Sequence, residues 1–324
     1  VATPAPGATN DAATPPGEPP PPAIVCSVLI GFVSRREAAR ILDVLAALRE
    51  QSPPVAHEVI VADRLHNAVS KRFEREFPEV RLLAFPPHTS LPALRTAALL
   101  AARGRYAVVT EDHCIPAPNW LAAIVTAFAD GASDVAAVGG AVVNGLPQRW
   151  LDRATFQCEY GNYLPPRATG PDTDLPGMNV AYVRQRLLAL DRALLRAGFW
   201  ETTAHPALLR QGARFVFADE IRLVHCKHFG LMEFIAQRYL YSRHYAGSRF
   251  APTAWLKRSA AVALSPLLPV LLLWRFHRGA LRRRRYWTEF LSLAPLLALF
   301  AVIWAAGEMA GYASGPGDAL SKLE

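Results

Sequence analysis

The stretch Val108–Val109–Thr110–Glu111–Asp112–His113–Cys114–Ile115–Pro116 (VVTEDHCIP) decides the fold. An apolar run from Tyr106 to Thr110 ends abruptly in two acids and an imidazole. A short apolar run without alternation reads as a strand buried on both faces. Polar groups at the carboxyl end of such a strand lie where an open α/β sheet binds its ligands. Two acids and a histidine in sequence suit a divalent cation that also holds phosphate oxygens. Carboxylates accept Mg²⁺ or Mn²⁺, and an imidazole shifts the preference toward Mn²⁺ or another transition metal. A second reading is purely local. Asp112 or Asn119 would cap a helix predicted over Trp120–Ala129, with His113 on the surface.

Outward from this stretch, strands and helices alternate. Ile24–Phe32 is a first buried strand, and Glu37–Glu50 places Ala39, Ile41, Leu42, Leu45 and Leu48 on one helical face. Val59–Ala62 is a second strand ending in Asp63, Val80–Phe85 a third of edge character, and Leu91–Arg103 a helix. Arg214–Ala218 and Ile221–Val224 read as later strands, followed by a helix through Gln237–Arg249. This order predicts an α/β domain with a mainly parallel sheet. Asp63 and Glu111–His113 both fall at strand ends.

The 324-residue chain is 52% hydrophobic, enough for a full core, and carries a net charge of +8. Eight Lys/Arg and no acid lie between Lys257 and Arg285, which accounts for the whole excess. Basic charge set between apolar stretches points to a membrane surface and away from nucleic acid. Cys26, Cys114, Cys158 and Cys226 are widely spaced, without a C-x-x-C, so reduced thiols are expected. Residues 1–22 hold eight prolines and neither an aromatic nor a basic residue. They read as a disordered tail lacking signal-peptide features. Residues 23–250 form the predicted α/β domain, and 251–324 a membrane-associated appendage. In the appendage, Ser259–Trp274 is uncharged but interrupted by Pro266 and Pro269, while the 18 uncharged residues Phe290–Gly307 are long enough to cross marginally. Trp255, Trp274, Tyr286 and Trp287 sit at stretch ends, as interfacial anchors do. Six arginines lie in Arg275–Arg285. The positive-inside tendency therefore predicts that Ser259–Trp274 stays in the cytosolic interface, that only Phe290–Gly307 crosses, and that the tail from Glu308 is external.

The motifs and their spacing resemble glycosyltransferase family 2, inverting transferases of the GT-A (Rossmann-like) fold. Ser27–Arg35 (SVLIGFVSR) resembles the family's first strand, and Val61–Ala62–Asp63–Arg64 its second-strand end. Leu94–Arg95–Thr96–Ala97–Ala98 and Ala102–Arg103–Gly104–Arg105–Tyr106 resemble the elements that precede the metal motif. Glu111–Asp112–His113 stands where the family has D-x-D, followed by Pro116 and Trp120. Leu175–Ala181 resembles the loop bordering the acceptor, and Arg196–Glu201 the G-G-F-x-E-D stretch. The resemblance covers about residues 24–250. It departs from the family at Gly31, at Arg64 and in the Glu111 and His113 variants of the D-x-D acids.

The resemblance implies sugar transfer, with inversion, from a nucleoside-diphosphate sugar to a glycan or lipid-linked acceptor, on the cytoplasmic face of a membrane and with Mn²⁺ or Mg²⁺. It implies donor contacts at Phe32, Asp63, Arg95, Glu111 and Asp112. Metal ligation falls to Asp112, His113 and His225, with His228 as the second choice. Asn179 and Trp200 fall on the acceptor side, and Glu201 is the base. Arg238, Arg243 and Arg249 would neutralise the diphosphate or face anionic lipid. Two other functions fit the same residues: a scaffold that binds a nucleotide sugar without turnover, and a nucleotidyltransferase. The second would carry a glycine-rich phosphate loop, whereas Gly31–Arg36 has one glycine.

Overall fold

The computed structural model describes residues 23–131, 134–250, 254–282 and 287–322. The proline-rich tail, 1–22, and Arg283–Tyr286 of the basic loop lie outside them. The first half runs β1 (Cys26–Phe32), α1 (Arg40–Arg49), β2 (His57–Asp63), α2 (Ala68–Glu76), β3 (Arg81–Ala84), α3 (Leu91–Ala101) and β4 (Tyr106–Glu111). These strands are parallel, in the order β3-β2-β1-β4. β1 is buried at all seven positions, as a strand covered on both faces must be. β3, half exposed, is the edge. The α/β class and the four strands predicted for this half therefore hold.

The second half runs β5 (Cys114–Pro116), α4 (Trp120–Ala129), β6 (Val135–Asn144), α5 (Trp150–Tyr160), β7 (Gly170–Asp172), β8 (Val180–Val183), α6 (Arg184–Leu188), α7 (Arg192–Ala197), α8 (Glu201–Arg210), β9 (Arg214–His225) and α9 (Leu231–Gly247). β8 lies antiparallel between β4 and β6, so the sheet is mixed beyond β4. The two late strands expected from sequence are one strand, β9, paired with β6 across a bulge at Gly140/Val142. Two apolar clusters fill the two faces of the sheet.

Two predicted site residues are core residues. Phe32 is fully buried and packs edge-on against Phe73 of α2, with ring centres 5.7 Å apart. It faces the helix layer and not a ligand. Asn179, also fully buried, accepts from Trp120 Nε1 at 2.8 Å and donates to the carbonyls of Ala141 and Ile221 at 2.9 and 2.8 Å. Its amide ties α4, β6 and β9 together, which leaves it nothing to offer an acceptor.

The C-terminal segment is not an appendage. α10 (Trp255–Leu264), a 3₁₀ turn at Ser265–Leu267 and α11 (Leu268–Arg282) make one helical run through both prolines. Pro266 lies in the first turn of the 3₁₀ segment and Pro269 in that of α11, where a missing N–H costs little. α12 (Trp287–Ser314) then packs along α9 and α5 over its whole length. At one end Trp150 Nε1 donates to Ser292 O, and Phe290, Leu293, Leu297 and Phe300 join Phe234 in a separate apolar cluster. At the other end Gly307 and Gly311 meet the α9 backbone. A Cβ on Gly307 would lie 2.4 Å from Tyr239 O, and one on Gly311 2.3 Å from Arg243 O. Two small residues one turn apart permit this approach, as in close helix pairs within membranes.

Asn179→Ala would orphan the Trp120 indole N–H and two buried carbonyls. At about 1–3 kcal/mol for an unsatisfied buried group, the variant is expected to lose on the order of 3 kcal/mol in a urea melt. Stability within about 0.5 kcal/mol of the parent would show that the amide is free for another task.

Candidate active site

The site is built around Asp112, 1% exposed, just past β4. Its Oδ2 accepts from the N–H groups of Val33 and Ser34, both at 2.8 Å. Its Oδ1 accepts from the Ser34 hydroxyl at 2.7 Å and lies 2.8 Å from His113 Nδ1. These four contacts fill the acceptor capacity of an ionised carboxylate. Asp112 is therefore neither the helix cap of the local reading nor the metal ligand of the family-based one. Asn119, at the α4 cap position, makes no capping bond either. What Asp112 does is hold the His113 ring, with Nδ1 toward the carboxylate and Nε2 toward the cavity.

His113 Nε2 lies 3.2 Å from His225 Nε2 and 3.3 Å from Glu111 Oε2. The antiparallel pairing of β5 with β9 sets Cys114 opposite His225. One ligand atom each from Glu111, His113, Cys114 and His225 then fall within 4.8 Å of one another. Ligands about 2.1 Å from one ion lie roughly 3–4 Å apart, so the cluster fits a single cation once its members draw in. Two imidazoles, a carboxylate and a thiol suit a transition metal better than Mg²⁺. Burial opposes charge on His113, but Asp112 and Glu111 outweigh it and raise its pKa. Burial and the neighbouring His113 push His225 well below the ordinary histidine range. Burial also opposes ionisation of Glu111, yet His113 and Arg95 hold its carboxyl far below the usual value.

Arg95, on α3 and 3% exposed, joins the two halves of the site. Its Nη2 donates to Glu111 at 2.9 Å and its Nη1 to Glu201 Oε2 at 3.1 Å. Trp200 Nε1 and the Tyr241 hydroxyl both donate to Glu201 Oε1. Of about four acceptor positions on that carboxylate, one on Oε2 stays open. Gly177 backs the group: a Cβ there would sit 2.5 Å from Glu201 Cδ. The loop carrying Gly177 and the start of α8 therefore fit only without a side chain between them.

Glu111, His113, His225, Arg95, Trp200 and Glu201 line one cavity of about 690 Å³ beyond the ends of β1 and β4. Arg238 and Arg249 of the α9 segment line it too. Arg243 does not, because its side chain turns to the C-terminal end and donates to Gly315 O at 3.3 Å. Asp63 is fully buried at the end of β2, outside the cavity lining. Its Oδ1 caps the Leu65 and His66 N–H groups at 2.6 and 3.2 Å, while Oδ2 has no hydrogen-bond partner. His228 lies 2.7 Å from Asp152 and outside the metal cluster. Sequence reasoning missed Cys114, Tyr241 and a wall from α12, where Glu308 accepts from Trp304 Nε1 at 2.6 Å and from the Tyr312 hydroxyl at 3.0 Å. An acid with aromatics four residues to either side in an otherwise apolar helix was the available signal.

The family model described as glycosyl transferase family 2 matches residues 27–188, half of the chain. No curated protein sequence matches. Among solved structures, the mannosyltransferase PcManGT from Pyrobaculum calidifontis, solved with GDP-Man and Mn²⁺, is 18% identical with a TM-score of 0.53 over 89% of this chain and 87% of its own. GalNAc-T7, solved with UDP, GalNAc and Mn²⁺, is 14% identical with a TM-score of 0.49 over 71% of this chain and 52% of its own. At such identities the first of these shows the shared fold, and the matched motifs carry the assignment: the chain belongs to glycosyl transferase family 2, with a GT-A type α/β domain.

Proposed function

We propose that this glycosyltransferase is metal-dependent and attached to a membrane, and that it moves a sugar from a nucleoside-diphosphate sugar to an envelope-glycan or lipid-linked acceptor with inversion. One observation carries the reading: a single buried guanidinium, Arg95, holds the acid of the metal cluster and the acid at the acceptor side of one cavity. Glu111, His113 and His225, with Cys114 beside them, would hold the cation. When bound, it offsets charge developing on the departing diphosphate. Glu201, through the open position on Oε2, takes the acceptor hydroxyl's proton as that oxygen attacks the anomeric carbon. The bond from that carbon to the diphosphate breaks, and the diphosphate leaves with the electron pair. Trp200, Tyr241 and Arg95 keep the carboxylate aimed. They thereby hold the reacting groups in line, which is a large part of what such a site contributes.

The membrane reading changes in form. Both Trp255–Arg278 and Trp287–Ser314 are long and apolar enough to cross, with 6% and 39% of the spanning window buried. Yet both ends of α12 are tied to the catalytic domain, through Trp150 at one and, at the other, through Arg243 and a 3₁₀ turn (Ala319–Lys322) packed on α9. A helix fastened to one folded domain along its length does not carry its far end across a bilayer. The expectation that Phe290–Gly307 crosses and that the tail from Glu308 is external therefore gives way to a helix pair lying in one leaflet, on the cytoplasmic side where nucleotide sugars are available. α10 and α11 supply its lipid face, with Leu264, Leu267, Val270 and Trp274 all more than half exposed.

Three outcomes are expected. His113→Ala and His225→Ala should abolish measurable Mn²⁺ binding in calorimetry, and Asp112→Asn should weaken it about 10–100-fold, as loss of an orienting partner does. The parent should bind Mn²⁺ more tightly than Mg²⁺, and unchanged Mn²⁺ affinity in both histidine variants would dismiss the metal reading. Glu201→Gln should lose about 10²–10⁴-fold in single-turnover transfer at unchanged donor affinity, and transfer at the parental rate would remove Glu201 from the chemistry. A cysteine at Ser314 should be modified by a membrane-impermeant thiol reagent only after cells are opened, whereas labelling of intact cells would restore the crossing helix.

A further inference from the structure

The cavity does not end at the transferase machinery. From Glu201 and the metal cluster it continues to Leu264, Leu268, Leu271, Leu272 and Phe276 on the α10–α11 run. Some of these side chains also belong to the outward apolar surface, with Leu264 59% and Leu271 49% exposed. The wall thus passes from the inside of the cavity to the lipid-facing side, mostly apolar with Ser265 and Arg275 set among the leucines. A nucleotide sugar is polar along its whole length and gains nothing from such a wall. A hydrocarbon chain gains free energy with each methylene it buries there.

At the junction of the polar and apolar parts stands Arg238. It is 9% exposed, its guanidinium lies 4.1 Å over the Trp304 ring, and its Nε has no hydrogen-bond partner. Among the described residues no carboxylate lies within ion-pair distance of it. Glu159 lines the cavity nearby, and burial pushes its carboxyl up, against the pull of Arg238 and Lys227. Glu308 is taken by Trp304 and Tyr312. Arg249, at the rim, donates to the Tyr312 hydroxyl at 3.3 Å. A buried cation without a counter-charge is costly, and a planar guanidinium matches a phosphate. Three residues along α9, Tyr241 donates to Glu201. That offset rises about 4.5 Å along a helix, roughly the thickness of one sugar ring.

We infer that the acceptor is a sugar carried on a hydrocarbon chain through a phosphate. The phosphate binds at Arg238 with Arg249 at the rim, the chain lies along Leu268 and Leu272, and the free hydroxyl of the sugar reaches Glu201. This rests on the transferase reading and adds the acceptor's chemical class to it.

The test is binding without donor, metal or turnover, so its result is separable from that of the transfer assays. The full chain in uncharged maltoside micelles is titrated with decyl phosphate, decanol and inorganic phosphate, read by quenching of tryptophan fluorescence. Decyl phosphate is expected to bind at least tenfold more tightly than either of the others. Arg238→Gln should reduce it to the level of decanol, Arg238→Lys should retain part of the difference, and Leu268→Gln should reduce it toward inorganic phosphate. Thermal melts of each variant check that the fold survives. If decyl phosphate binds no better than inorganic phosphate, Arg238 serves the donor's diphosphate and the inference falls. It falls equally if decanol matches decyl phosphate, or if Arg238→Gln changes nothing. Sugar transfer persisting alongside such a failure would overturn this inference alone.

Discussion

The site depends on one carboxylate. Asp112 accepts two backbone N–H groups beyond β1, the Ser34 hydroxyl and the imidazole of its own neighbour. Hydrogen bonds to a charged group are worth about 1.5–3 kcal/mol each, and here they offset the burial of the charge. They fasten the segment after β1 to the turn after β4, which are adjacent parallel strands. With that turn fixed, the chain reverses into β5, β5 pairs antiparallel with β9, and His225 arrives opposite Cys114. The Glu111, His113, Cys114 and His225 cluster is thus assembled by strand pairing, and Asp112 sets the plane of the His113 ring.

Arg95 imposes the second constraint. Two acids, Glu111 and Glu201, share a guanidinium that is almost wholly buried, and its Nε is unpaired. Neither acid can move far without leaving the cation exposed to the other alone. Glu111 and Glu201 are consequently held at a fixed separation across one cavity, and under the proposed transfer these are its donor and acceptor sides. Under the proposed reading, a cation held at Glu111 would share that carboxylate with Arg95, which also holds Glu201.

How much of this was legible depended on what each residue's role required. Strands buried on both faces announce themselves as apolar runs, so β1, β2 and β4 were readable, as were the acids at their ends. Glu111, His113, Glu201, His225 and Arg95 do come together. Phe32, Asn179 and Arg243 do not, because sequence places a residue on an element but not the direction of its side chain. The antiparallel insertion of β8 between β4 and β6 left no local mark, since a four-residue strand reads alike in either direction. Asp112 was misread for a related reason. An acid beside a histidine suggests a ligand, and only tertiary donors from Val33 and Ser34 reveal that its oxygens are spent.

The packing of the C-terminal helices was not legible in their composition. Apolar residues on every side of Phe290–Gly307 look like a span, yet one flank packs on α5 and α9 and supplies Trp304 and Glu308 to the cavity. The spacing of Gly307 and Gly311 was present in the sequence and is what sets α12 against the α9 backbone. Without α12, Arg238 would lose the ring beneath it and Tyr241 the Trp304 ring 5.8 Å away. The residues that steady Glu201 thus rest on a helix beyond the family-matched segment. The strand ends supply the acids and imidazoles, and the C-terminal helices wall the cavity that leads to them. Under the proposed transfer, one sheet can keep its chemistry while what packs against α9 shapes the acceptor's approach.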